Sequence, residues 1–173
     1  MTQSERLLAT VGRRARLAAS LVASPADAWL ALRMAGWRLV LPPLKARLPL
    51  SRLVRLMSRR ARSRPVTAER EARIAELARV VYRSEHMSRQ GNCLERSLVL
   101  FRYLSAAGAD PHLVVGIRSG EAAVRGHAWV TLRGKPVEEP PQSLEGLTSV
   151  VSFRGDGSQT RSHAISKALS AAP

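Results

Sequence analysis

The periodicity of the apolar residues changes at Gly108, and that change constrains the fold more than any other feature of the chain. Before it, apolar side chains recur at helical spacing; after it they fall into short runs of strand length divided by turns. The strongest helix starts after Asn92, which reads as its N-cap with Glu95 as capping-box partner, and carries Leu94, Leu98, Phe101 and Leu104 along one stripe until Gly108 ends it. Strands are expected over His112–Ile117 and Val124–Leu132. Arg133-Gly134-Lys135 forms a turn that returns the chain along Pro136 and Val137, and a further strand falls around Val150–Phe153. The expected class is α+β, a helix followed by an antiparallel sheet. Beyond Arg154 the sequence is rich in Gly and Ser and reads as loosely ordered, apart from a weak helix near Ala164–Leu169.

The first 85 residues read as mostly helical. Ser24-Pro25-Ala26-Asp27 offers an N-cap, a proline at the first helical position and an early carboxylate, for a helix expected to end before Pro42-Pro43. Leu50 to Arg64, with leucines at 50, 53 and 56 among six arginines, reads as a short, very basic helix stopped by Pro65. Thr67 can cap the next, over Ala68–Arg83, with Ile74, Leu77 and Val81 on one face. The expected organisation is a helical basic segment over 1–66, a core over 67–155 and a tail over 156–173.

Charge separates the halves. The 173-residue chain has a formal net charge of +15 and a pI near 11.7. Residues 1–92 hold 19 Lys+Arg against 6 Asp+Glu, a net of +13, whereas residues 93–173 hold 9 against 7, a net of +2. A basic half joined to a nearly neutral one reads as a docking region attached to a core that carries chemistry. Nucleic acid is the weaker reading of the arginines, because aromatics make up only 4% of the chain and no recognised binding motif is present. The apolar stretch Trp29–Leu41 is broken by Arg33 and Arg38 and falls short of the roughly 20 residues that span a bilayer. It suits either a packed helix with its tryptophans in the core or a helix lying on an anionic membrane. The start of the chain has no signal-peptide pattern, so the expected compartment is the cytosol, with peripheral membrane association as the variant.

The single cysteine excludes an intramolecular disulfide and any metal site needing two thiolates. Cys93 directly follows an N-cap, where the helix dipole and free backbone N–H groups favour a thiolate. Those groups, with Gln90 or Asn92 as a second donor, can also hold an oxyanion. A thiol nucleophile needs a base that titrates near neutrality, and His127, on the second strand, is the candidate. A third group usually fixes the ring, and Glu138 and Glu139 follow the hairpin turn. His86 precedes the cysteine closely enough to line a cleft; His112 and His163 read as incidental. Trp129 reads as packing behind the histidine, while Arg96 and Ser97 can brace the site or line the groove.

Three stretches make a family resemblance specific: Gly91-Asn92-Cys93-Leu94-Glu95-Arg96-Ser97-Leu98, Leu113-Val114-Val115-Gly116-Ile117-Arg118 and Gly126-His127-Ala128-Trp129-Val130. In order and spacing they resemble the C-R-S-L, L-V-I-G-V and A-H-A-W-V signatures of lasso-peptide leader peptidases, over about residues 68–145. The resemblance implies a transglutaminase-like, papain-related fold and a Cys-His-Asp triad that hydrolyses the bond between leader and core peptides. It implies no cofactor or metal for the hydrolysis. The implied partners are the precursor leader, a separate leader-binding protein, and an asparagine-synthetase-like cyclase that uses ATP. The family's Asp follows its His by about a dozen residues, and here that place holds Glu139, with Glu138 as alternate. The rival readings are acyl transfer to an amine, a non-catalytic scaffold of the same fold, and a protein that binds nucleic acid or a membrane surface.

Overall fold

The computed structural model describes residues 24–58, 66–82, 92–118 and 125–161. The first helix, α1 (Pro25–Arg47), begins as its sequence dictates: the Ser24 hydroxyl accepts from the Asp27 N–H at 3.4 Å and Pro25 opens the first turn. It does not stop before the two prolines. Leu41 is fully buried and Leu44 packs against the core, while Pro42 and Pro43 face solvent, so packing on either side carries the helix through them. The second helix, α2 (Leu50–Met57), is shorter than the basic pattern suggested and turns Leu53, Val54 and Met57 inward, leaving Leu56 exposed. Arg59 to Arg64 lie outside the described residues.

The third helix, α3 (Ala68–Tyr82), is capped by Thr67, whose hydroxyl accepts from the Arg70 N–H at 3.3 Å, and buries Ile74 and Leu77. It is tied to α1 through Asp27, which takes Arg70 at 3.1 Å and Arg73 at 2.9 Å. The central helix is α4 (Cys93–Ala107). Leu98, Val99, Leu100, Phe101 and Leu104 are all within 2% of full burial, so its apolar surface reaches well beyond the single stripe expected. Gly108 ends it in the left-handed region at φ 100°, its N–H closing on the Leu104 and Ser105 carbonyls.

Five strands follow: β1 (Pro111–Arg118), β2 (Arg125–Leu132), β3 (Lys135–Pro136), β4 (Thr148–Phe153) and β5 (Gln159–Arg161). They form one antiparallel sheet in the order β3-β2-β1-β4-β5. A 3₁₀ turn at Pro141–Leu144 links β3 to β4. The β1–β2 pairing sets Gly116 opposite His127 and Leu113 opposite Val130. Residues 128, 130 and 132 are buried on the core side, and His127 alternates with them. The edge strand β5 was not legible. It lies in the Gly- and Ser-rich stretch read as loose, and the tight turn before it is held by Gly157 at φ 82° and by Asp156 Oδ1 accepting from the Ser158 N–H. The expected helix near Ala164–Leu169 lies outside the described residues. One buried cluster joins α1 and α2 to α3, α4 and the sheet, so the basic helices share the core of the rest.

Candidate functional site

Cys93 is the first residue of α4 and is half-buried. The local reason for its position differs from the expected one. Asn92 occupies the N-cap place, but at φ −95°, ψ −2°, with no side-chain capping bond. Glu95 does not complete a capping box either: it is buried and forms an ion pair with Lys45 of α1, Nζ to Oε1 at 2.8 Å. The start of α4 is therefore fixed by packing and by an ion pair across 50 residues of sequence.

β2 brings His127 to Cys93. The hydrogen bond to His127 is the main influence holding the thiol below its ordinary value; burial opposes it, and backbone hydrogen bonds from Ala128 and Leu94 add to it. His127 responds in the opposite sense and is raised to about 9, first by Cys93 and then by Glu139, against the effect of burial. Its Nε2 lies 2.9 Å from Glu139 Oε2, which leaves Nδ1 as the nitrogen for the sulfur. The mutual shifts work toward a thiolate beside an imidazolium.

Of the two carboxylates after the turn, Glu139 meets the histidine. Its Oε1 takes Arg96 Nη2, and Ser143 Oγ donates at 3.3 Å to Oε2, the oxygen that meets His127. Burial pushes its carboxyl up, but His127, Arg96 and Ser143 outweigh that and hold it low. Glu138 points elsewhere. Its side chain is 4% exposed, near Arg96 Nε at 3.5 Å and Arg79 Nε at 4.0 Å, with no hydrogen bond to either oxygen. Burial pushes the Glu138 carboxyl up, the two arginines pull against it, and Glu139 adds to the rise. Arg96 thus lies between both acids, the bracing role being the one of its two sequence readings that the geometry supports.

Two further contacts set the ring. Ser97 Oγ donates to the Ala128 carbonyl at 2.9 Å in a fully buried bond, tying α4 to the residue after His127. Trp129 stacks along His127, centroids 6.1 Å apart and planes at 19°. Gly116 makes room for that indole, since a Cβ there would lie 2.9 Å from the ring and from the Thr148 carbonyl. Beside the histidine opens a cavity of about 260 Å³ lined by Arg118, Gly126, His127, Glu139, Ser143 and Leu147. Arg118 shapes its wall by donating to the Ser143 and Glu145 carbonyls at 3.2 and 2.6 Å. Ser143 and Leu147 carried no signal in the sequence, and Arg118 stood there only as the last residue of a motif stretch. Gln90 and His86, and the tail residue His163, lie outside the described residues; His112 sits on β1 opposite Thr131, remote in register from His127. Among the described residues, no group of three or more His, Cys, Asp or Glu side chains is gathered to hold a metal ion.

A helix opening on Cys93 and followed by an antiparallel sheet is the α+β arrangement that the sequence resemblance implied. The family model of the transglutaminase-like superfamily matches residues 38–152. The chain belongs to the transglutaminase-like superfamily. That superfamily commonly comprises cysteine-dependent hydrolases and transferases, cysteine peptidases among them. The match begins inside α1 and takes in all of α2. Neither the curated proteins nor the solved structures yield a match. Among the described residues of this superfamily member, no helix is long and apolar enough to cross a membrane.

Proposed function

We propose that this transglutaminase-like protein is a cysteine peptidase that removes the leader from a lasso-peptide precursor. The observation that carries the chemistry is the chain of contacts from the Cys93 thiol to His127 and on to Glu139. The precursor as substrate rests on the C-L-E-R-S-L, L-V-V-G-I and G-H-A-W-V stretches and their likeness to leader peptidases.

In this reading the Cys93 thiolate adds to the carbonyl carbon of the bond between leader and core. Backbone N–H groups at the start of α4 hold the oxyanion, with Asn92 or Gln90 as a side-chain donor. The imidazolium of His127 gives its proton to the departing amine, the C–N bond breaks, and the leader remains as a thioester on Cys93. Water then attacks the thioester while His127 takes its proton. The leader leaves as a carboxylic acid and the thiolate is restored. Glu139 keeps the ring aimed and supports its positive charge, as an Asp does in the family's pattern. No cofactor enters these steps. The core peptide, now with a free amine, passes to a partner cyclase that uses ATP, and a separate leader-binding protein presents the precursor.

The test is reconstitution with a lasso-peptide precursor and a leader-binding protein sought among the neighbouring genes, followed by mass spectrometry. Wild-type protein releases the leader, whereas Cys93→Ala and His127→Ala do not. Release that survives Cys93→Ala refutes the mechanism. An attached amine in place of a new carboxylate on the leader assigns acyl transfer instead of hydrolysis.

A further inference from the structure

Helix α1 is apolar on two opposite sides. Ala31, Met34 and Leu41 are buried against the core, yet Trp29, Leu32, Leu39 and Val40 lie on the outer surface, 61%, 62%, 82% and 45% exposed. The outer residues recur every three or four positions, and Gly36 and Pro43 fall on the same line, so they form one stripe along the helix. Leu56 of α2 adds a further exposed apolar side chain, 47% exposed. A surface helix normally turns polar residues outward, and a contiguous apolar strip there marks a contact surface.

The charges around the stripe say what kind of contact. Arg33 and Arg47 on α1 and Arg52 and Arg55 on α2 are exposed. The two helices hold a single acid, Asp27, and Arg70 and Arg73 of α3 engage it. Interfaces between proteins use charges of both signs to fix register and exclude wrong partners. A surface that offers arginines, a tryptophan and leucines, with no acid left over, matches the requirements of an anionic bilayer: cations at the headgroups and apolar side chains set between them. No described helix can span a membrane, so such a contact lies in the interface plane.

We propose that the outer face of α1 is a peripheral docking surface for anionic lipid bilayers. It operates independently of the Cys93 site. Trp29, Leu32 and Leu39 enter the headgroup region while Arg33 and Arg47, on the same outer side of the helix, neutralise lipid phosphates.

The experiment is co-sedimentation of the full chain with vesicles of phosphatidylglycerol and phosphatidylcholine, compared with phosphatidylcholine alone. The variant is Trp29→Ser combined with Leu39→Ser, both exposed positions whose change leaves the core intact. The expected results are pelleting with anionic vesicles, weakening as salt is added, and a loss of roughly tenfold or more in partitioning for the double variant. Brominated lipid quenching of the wild-type tryptophan fluorescence gives a second measure that requires no variant. Three results each overturn the proposal: no pelleting or quenching with anionic vesicles, pelleting unchanged in the double variant, or a concentration-dependent dimer in vesicle-free buffer that the double variant abolishes, which would assign the face to a second copy.

Discussion

Replacing Glu139 by Gln keeps the size of the side chain and an oxygen for His127 but removes the negative charge. The rise of His127 from 6.5 to about 9 corresponds to roughly 3 kcal/mol of gross preference for the imidazolium. Water at the exposed part of the ring screens some of this away. Cys93 is the larger source and Glu139 the second, so E139Q is expected to bring His127 down by about one pH unit, ~1.4 kcal/mol. A weaker imidazolium supports the thiolate less, and the two protons titrate as a coupled pair. The chain has one cysteine, so the rate of carbamidomethylation followed by intact mass reads Cys93 alone. Wild-type protein should be reactive below the ordinary thiol value of 9.0. The onset should move upward by about one pH unit or less in E139Q. In His127→Ala it should move further, back toward the ordinary value, because the largest influence lowering the thiol is gone while its burial remains. Three coincident profiles, each rising near the ordinary thiol value, would refute the ion-pair reasoning.

The sign of each shift sets the window for catalysis. The raised His127 supports the pair at low pH and is lost as pH rises through about 9, whereas the lowered Cys93 fails as pH falls through its own depressed value. Leader release should therefore be bell-shaped in pH, with its upper limb near 9; an upper limb near 6.5 would contradict the assignment. Arg96→Leu removes the group between the two acids and leaves Glu138 with Arg79 at 4.0 Å. It should loosen Glu139 beside His127 and lower kcat more than it changes KM. Gly116→Ala drives a methyl group to 2.9 Å from the Trp129 ring and should cost about 1–3 kcal/mol in urea unfolding, with reactivity of Cys93 reduced through the displaced His127. Ser97→Ala leaves the buried Ala128 carbonyl without its 2.9 Å donor and should cost about 1–2 kcal/mol by the same measurement.

What the sequence made legible was local. The glycine at 108 ended its helix because a left-handed residue was needed there, and the Arg133-Gly134-Lys135 turn set β2 back against β3, with Arg133 at φ 50° and Gly134 at φ 77°. The pairing of Cys93 with His127 followed from a helix start and a strand. Choosing between Glu138 and Glu139 was harder, because β3 ends at Pro136 and the strand alternation that would separate two neighbours no longer applies beyond it. The resemblance pointed to Glu139, and the bend beyond β3 turns that residue to His127 and Glu138 toward α3 and α4. Non-local contacts were invisible. Glu95 looked like a capping partner because Asn92 stood three residues before it, yet its actual partner is Lys45 on another helix. The prolines in α1 looked like a stop because the burial of Leu41 and Leu44 depends on helices not yet in place. Arg96 gave no sign in sequence of lying between two acids 42 and 43 residues later.

The most direct test of the central claim is to look for the covalent intermediate. Wild-type protein mixed with precursor and its leader-binding partner, quenched in acid within one turnover, should gain the mass of the leader less one water, mapped by proteolysis to Cys93. Release of the leader with no adduct on Cys93, continuing in Cys93→Ala, would contradict the assignment of this thiol as nucleophile.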